Sequence, residues 1–423
     1  MKGDPVVKNA LWLMAGRVAQ LALSLLVTLL TARYFGPENF GLLSYAAAYT
    51  GFFSALAGLG LQSVLVRELT EHGEKEGELL GTALFLRLFA GIASAVAMLC
   101  IVSAAERGDP LVLAVAGASG LGMAVQSFDV FHCRFQAKLR SRVTAAVLLA
   151  AHALTAGWKA AGLIWGKGVL WFAFASAVEQ LGAAVLLLAA YRGSGGLALT
   201  ISRETARELF DKSRHFILPG LMVAVYAQTD RIMLGRLMGG AETGYYSAAV
   251  SVCNAWCFVL SAIIDSMYPE IVKAHAVDGP LFRRRNRQLY TIIFYLSAAV
   301  SMVISVGAEP LVGLLYGEGY LPAAGVLRLL TWYTGFSYLG VARNAWVVCE
   351  NRQSDLLRVY VAAAAANVGL NFLLIPRWGA AGAAAASLVS QVVSAVAAPL
   401  CIRGLRENGK LMLEAILRRG ETP

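Results

Sequence analysis

The sequence predicts an all-α integral membrane protein, with about twelve transmembrane helices in two parallel six-helix repeats around a central cavity. Three observations predict it. Of 423 residues, 58% are hydrophobic and only 15% charged, against about 45–50% and about 25% in soluble proteins. The basic residues gather in alternate loops between apolar runs, and the two halves of the chain match each other. Composition alone excludes disorder, a coiled coil, a secreted disulfide scaffold and an ordinary soluble enzyme.

Runs long enough to cross a bilayer, roughly 20 apolar residues each, fall at 9–33, 40–62, 79–103, 111–131, 143–165, 169–191, 216–238, 244–268, 288–309, 324–349, 358–376 and 380–402. The first exceeds the apolar stretch of a cleaved signal peptide, and no small-residue cleavage site follows it, so it is expected to remain as a span. The stretch 310–323 is expected to dip into the membrane without crossing. Cys253 and Cys257 share a helical face inside an apolar run, with no His or acid at ligand spacing, and read as packing thiols.

The basic residues test this count. The N-terminal tail (Lys2, Lys8) and the loops around 67–75, 134–142, 192–214, 273–287, 352–358 and 403–419 hold twenty-five Lys and Arg. The alternate loops hold five: Arg33, Arg107, Lys167, Arg236 and Arg377. This is the positive-inside pattern. Both termini are therefore expected in the cytoplasm, and the net charge of +10 needs no nucleic-acid partner. The tail, with Leu411, Leu413, Ile416 and Leu417 among charges, is expected to lie as an amphipathic helix on the inner leaflet.

The halves match in two places. Arg33 and Gly36 through Gly41, Ser44 and Ala46 align without gaps with Arg236 and Gly239 through Gly244, Ser247 and Ala249. Leu163, Ile164, Gly168, Ala173, Ser176 and Gln180 align likewise with Leu374, Ile375, Gly379, Ala384, Ser387 and Gln391. Six spans per repeat is an even number, so both repeats share one orientation, as in transporters whose halves enclose the substrate site. The expected division is an N-terminal lobe over 1–200, a C-terminal lobe over 201–403 and a tail over 404–423.

Six cations fall inside spans: Arg17, Arg87, Lys159, Arg231, Arg328 and Arg343. Each costs roughly 2.5–3.5 kcal/mol near the bilayer centre unless it meets water, a partner or a ligand. Arg17, Gln20, Ser24, Thr28 and Thr31 fall on an arc of about 80° at about 100° per residue. Such a stripe lines either a cavity or another helix. His152, Thr155 and Lys159 repeat the pattern in the fifth span. Arg328, close to a span end, either snorkels to the interface or faces the interior. The candidate cavity residues are Arg17, Gln20, Ser24, Arg87, Lys159 and Arg231. Among the intramembrane acids Asp129, Glu179, Asp230 and Asp265, each either binds a coupling ion, H+ or Na+, or is neutralised by a nearby cation. Asp230 and Asp265 are the candidates for coupling. No metal site or organic cofactor is expected. A cationic cavity in an apolar protein suits an anion attached to something greasy, and guanidinium groups bind phosphate oxygens in pairs.

Three stretches carry a resemblance. Leu30-Thr31-Ala32-Arg33-Tyr34-Phe35-Gly36-Pro37-Glu38-Asn39-Phe40-Gly41, then Asp230-Arg231-Ile232-Met233-Leu234-Gly235 with Glu242-Thr243-Gly244-Tyr245-Tyr246-Ser247, and Ile375-Pro376-Arg377-Trp378-Gly379 resemble the bacterial polysaccharide-biosynthesis flippases. These belong to a superfamily that includes multidrug exporters and the lipid-linked peptidoglycan-precursor flippase. The resemblance runs essentially end to end. It implies two six-helix lobes about a cavity open alternately to each side. It also implies translocation of an undecaprenyl-diphosphate-linked oligosaccharide across the cytoplasmic membrane, alongside a polymerase and glycosyltransferases. Gly16-Arg17-Val18 looks like the place where the precursor flippase carries a cavity arginine, which implies diphosphate binding by Arg17.

Three alternatives stand beside that reading: an ion-coupled multidrug exporter, the peptidoglycan-precursor flippase itself, and a membrane glycosyltransferase or ligase. A drug exporter predicts acids and aromatics in the cavity, whereas cations outnumber acids here. A transferase needs acids or histidines on a sizeable outer loop, and 310–323 offers Glu318 alone. No phosphate-cradling glycine loop precedes a helix in a soluble segment, which argues against direct ATP use.

Overall fold

The glycines that end the repeats' first helices decide how the chain is cut. Helix α1 (Pro5–Ala57) bends at Gly36, followed by Pro37, where φ is 69° and ψ 176°. Then come α2 (Leu61–Glu71), α3 (Glu76–Ala105), α4 (Pro110–Val125), α5 (Val130–Ala137), α6 (Ser141–Ile164), α7 (Val169–Ala173) and α8 (Ala175–Gly193). The second half holds α9 (Arg203–Met238), α10 (Gly240–Val277), α11 (Gly279–Val306), α12 (Ala308–Tyr316), α13 (Ala323–Cys349), α14 (Gln353–Val392), α15 (Ala398–Cys401) and α16 (Arg406–Leu417). The computed structural model describes residues 5–106 and 108–417, and for 5–19 and Ser141 the backbone alone.

Among the described residues, eight segments are long and apolar enough to cross a membrane. Gln20–Glu71 covers part of the first predicted span and all of the second, and Gln353–Cys401 the eleventh and nearly all of the twelfth, the two parts meeting at Gly36 and at Gly379. Helices α9 and α13, outside those eight, coincide with the seventh and tenth predicted spans. The protein is a multi-pass, all-helical membrane protein, as the composition requires. Local chemistry starts its helices. At α4, Asp109 Oδ1 accepts the N–H groups of Leu111 (2.9 Å) and Val112 (3.3 Å), and Pro110 takes the first position, where its missing N–H costs nothing.

Packing divides the chain into two units: Met1–Phe35 with Leu42–Ala224, and Gly36–Gly41 with Val225–Pro423. The first has a core of Leu61, Leu65, Leu80, Phe131, Phe135 and Leu187. Arg134, 2% exposed, donates from Nε to Glu76 at 2.5 Å and lies 4.9 Å from the Tyr191 ring centre. The first half of α9 joins this unit, with Lys212 Nζ donating to Glu68 at 2.9 Å and Leu209 buried. The boundary expected at 200/201 therefore falls earlier than the one packing draws.

The second unit has a core of Leu260, Leu289, Tyr290, Leu339 and Trp346. The expected tail helix forms as α16 and packs in part on this core. In α16 the side chains of Leu411, Met412 and Ala415 are buried in that core. Asn408 Nδ2 donates to the Tyr290 hydroxyl at 2.7 Å, and the Tyr295 hydroxyl donates to the Ile416 carbonyl at 2.8 Å. Part of the apolar face is thus spent on protein, while Leu417 stays exposed. The stretch 310–323 forms α12 and a short 3-10 turn, and the Tyr316 hydroxyl donates to the Ala248 carbonyl at 3.1 Å. All six cysteines are free, with Cys253 and Cys257 buried.

Candidate functional site

The two polar stripes meet in the first unit. The amide nitrogen of Gln20 on α1 lies 2.7 Å from Nε2 of His152 on α6. His152 Nδ1 is 2.9 Å from the Leu148 carbonyl oxygen, one turn back on its own helix. Glu179, on α8, places Oε1 3.4 Å from His152 Nε2. Beside this cluster is a cavity of about 60 Å³ lined by Leu23, Ser24, Val27, His152, Thr155, Ala156, Lys159 and Glu179. Apolar side chains of α1 form one wall. The charges come from Lys159 and Glu179, which attract each other across the space.

Of the six cavity residues expected from sequence, Gln20, Ser24 and Lys159 therefore come together. Arg17 lies one turn before Gln20 on the same helix, and its side chain lies outside the described residues. Arg87 sits elsewhere in the unit, 7% exposed, with Nη1 3.8 Å from Asp129 Oδ2 and a buried Nε that has no partner among the described residues. Arg231 belongs to the second unit. Its Nη1 donates to Gln228 Oε1 at 3.3 Å and its buried Nε has no partner among the described residues.

Asp230 is the second unit's buried carboxylate, 3% exposed. Its Oδ1 accepts from Asn367 Nδ2 at 2.9 Å and Asn371 Nδ2 at 2.6 Å. Its Oδ2 accepts from the Tyr246 hydroxyl at 2.5 Å and from the Ser387 hydroxyl. Four neutral donors from α10 and both halves of α14 thus replace water around the charge, which would otherwise be costly to bury. The adjacent Arg231 does not neutralise it. Asn371 Oδ1, in the same cluster, is buried without a partner. Asp265, the other coupling candidate, is exposed on α10 and takes no part in the cluster.

Sequence reasoning left Tyr246, Asn367, Asn371 and Ser387 unassigned. A signal existed in Asn367 and Asn371, four apart in an alanine-rich span and so on one helical face. Nothing local links them to Asp230. Arg343, 1% exposed, donates to the Ser394 carbonyl at 2.7 Å, in a π-helical turn at Val393–Ala397.

The sequence pattern of the family described as "Polysaccharide biosynthesis protein" matches residues 6–275, well over half of the chain. The chain belongs to that family. A curated relative of this polysaccharide biosynthesis protein is "Putative O-antigen transporter" of Escherichia coli (strain K12), 23% identical over 52% of this chain and 53% of the relative's length. The match thus spans about half of that relative. Among solved structures, an inward-facing multidrug resistance MATE family transporter of the MOP superfamily superimposes with a TM-score of 0.71, at 16% identity, over 95% of this chain and 96% of the other. The lipid II flippase MurJ, in an inward closed conformation, gives 0.68 at 12% identity over 96% and 90%. At these identities the likeness establishes the fold. The relative and one of these structures are named as transporters, and the other structure as a flippase.

Proposed function

We propose that this polysaccharide biosynthesis protein is a flippase. It carries a polyprenyl-diphosphate-linked oligosaccharide from the inner to the outer leaflet of the bacterial cytoplasmic membrane, by alternating access, for surface polysaccharide synthesis. The observation that carries the reading is the meeting of the α1 and α6 stripes in a cavity holding Lys159. Phosphate oxygens are strong acceptors, and an ammonium in a low-dielectric cavity attracts them far more than it would in water. Arg17, on the α1 stripe, is assigned to the diphosphate with Lys159. Gln20 and Ser24 offer hydrogen bonds to sugar hydroxyls. Arg87 and Arg231, each with an unpartnered buried Nε, are assigned as further phosphate donors. The polyprenyl tail stays in lipid, which spares the protein from enclosing it.

The relative's name, an O-antigen transporter, supports the substrate class, and the fold shared with a lipid II flippase supports the mode of action. The basic loops support a cytoplasmic position for both termini. Asp230 is assigned to the coupling ion, H+ or Na+, with the unpartnered Asn371 oxygen as a second ligand for a cation. The polymerase and glycosyltransferases of the same glycan are the expected partners. Lys159→Ala and Arg17→Ala should each abolish surface-polysaccharide export while the protein remains in the membrane. Unchanged export in both variants would remove this cavity from the mechanism.

A further inference from the structure

His152 is engaged on both ring nitrogens. Nδ1 faces the Leu148 carbonyl at 2.9 Å. A carbonyl oxygen only accepts, so Nδ1 carries a hydrogen. In the neutral ring Nε2 is then a lone pair, and Glu179 Oε1 faces it at 3.4 Å. The Gln20 amide nitrogen lies against both ring nitrogens, 2.7 Å from Nε2 and 3.3 Å from Nδ1. The carboxylate opposes the Nε2 lone pair. A proton on Nε2 reverses that relation, because the new N–H donates to Glu179. The proton is therefore sensed by α8.

The cavity's charge follows the same proton. Among the described lining residues Lys159 and Glu179 carry the formal charges, and with a neutral imidazole they cancel. Protonation brings the lining to a net positive charge and turns Glu179 toward His152, leaving the ammonium for another anion. Around the ring, α8 contributes Glu179 and α6 contributes Lys159. Arg17 precedes Gln20 on α1. His132 and Arg134 on α5 do not line the cavity, and α7 carries no titratable group.

We infer that His152 and Glu179 form a proton-binding site that switches this cavity from neutral to cationic, so that a proton and the anionic head of the substrate bind cooperatively. The inference rests on the phosphate-bearing substrate proposed above. The proton comes from solvent and is held at Nε2. Linkage makes the effect reciprocal: acid favours the head group, and the head group favours proton uptake. Imidazole is suited to this, because its ordinary titration lies between about pH 5 and 8.

The test uses the full chain in nanodiscs with undecaprenyl diphosphate as probe. Wild type should bind it about tenfold more tightly near pH 5.5 than near pH 8. His152→Gln should lose most of that dependence, and Glu179→Gln, which removes the carboxylate that faces Nε2, should lose much of it as well. The probe's own titration is common to all three proteins, so the difference between them is the readout. Calorimetry in buffers of different ionisation enthalpy should show more proton uptake on binding by wild type than by His152→Gln. Equal pH dependence and equal uptake in the two would overturn the proposal. No binding by wild type at either pH would instead defeat the functional reading. The proton site is then decided by ¹⁵N-histidine NMR near pH 8 without probe. The Nδ1–H tautomer at His152 supports the site, and the Nε2–H tautomer refutes it.

Discussion

Gly36 and Gly239 hold the same backbone conformation, φ 69° and ψ 176° against φ 92° and ψ −170°, at positions that the internal repeat aligns. This region is essentially closed to residues with a Cβ. The repeat is thus written into the backbone as well as the sequence: in each half, one helix ends and the next begins at the same Gly-only joint.

The consequence is measurable. Gly36→Ala and Gly239→Ala should each lower stability by about 1–3 kcal/mol through strain alone. Gly244→Ala should cost more, since its Cβ would collide with the Pro37 carbonyl oxygen, backbone that cannot swing away. The partner position behaves alike, with a Cβ on Gly41 colliding with the Gly240 carbonyl oxygen. Thermal unfolding in detergent should rank Gly244→Ala and Gly41→Ala below the two joint variants. Equal midpoints for all four would contradict the close approach of these segments.

The buried guanidinium of Arg343 gives a prediction of opposite sign. It makes one hydrogen bond, to the Ser394 carbonyl, its Nε has no partner, and no carboxylate lies within ion-pair distance among the described residues. Replacing a buried, poorly compensated charge by an apolar side chain of similar volume is often neutral or stabilising by about 1–4 kcal/mol. Arg343→Met is therefore expected to unfold at or above the wild-type temperature. A fall of many degrees would mean that the Ser394 contact outweighs the cost of burying the charge.

What the sequence could and could not disclose follows from the range of each signal. Spans and topology were legible because apolar length and loop charge are local properties. The α1 and α6 stripes were legible as stripes, since a 3.6-residue period is also local. That Glu179 closes the cavity, or that Asn367, Asn371, Tyr246 and Ser387 converge on Asp230, depends on contacts across 16 to 157 positions, which no local period encodes. The packing of the tail was illegible for a different reason. Leu411 and Met412 look the same whether they face lipid or a protein core, and only packing separates the two.

Asp230 should respond to substitution according to its four donors. Asp230→Ala leaves Asn367, Asn371, Tyr246 and Ser387 without their acceptor, and each unsatisfied buried group costs about 1–3 kcal/mol. Partial re-pairing will recover some of this, so a net loss of several kcal/mol is expected in unfolding measurements. Asp230→Asn keeps the shape but not the charge and should fold better than the alanine variant. If Asp230 holds a sodium ion, replacing choline chloride by sodium chloride should raise the melting temperature of wild type and not of Asp230→Asn, because a ligand of the native state stabilises it by mass action. An identical sodium response in both proteins would dissociate Asp230 from the ion.

The docked tail makes the last prediction. Leu411 is 2% exposed and Met412 fully buried, and α16 is tied down by Asn408 to Tyr290, Tyr295 to the Ile416 carbonyl, and Glu407 accepting from Arg283 at 3.0 Å. A helix lying on a leaflet would tolerate Leu411→Ala with little change in folding. Packed in the core, the same substitution should cost about 2–5 kcal/mol through lost burial and the cavity left behind. Glu407→Gln, by contrast, loosens an exposed ion pair worth about 0–1 kcal/mol and should barely register. Melting curves of both variants in detergent decide the matter: a large drop for Leu411→Ala beside a negligible one for Glu407→Gln fits α16 as part of the second unit's core, while two negligible changes would return the tail to the membrane surface.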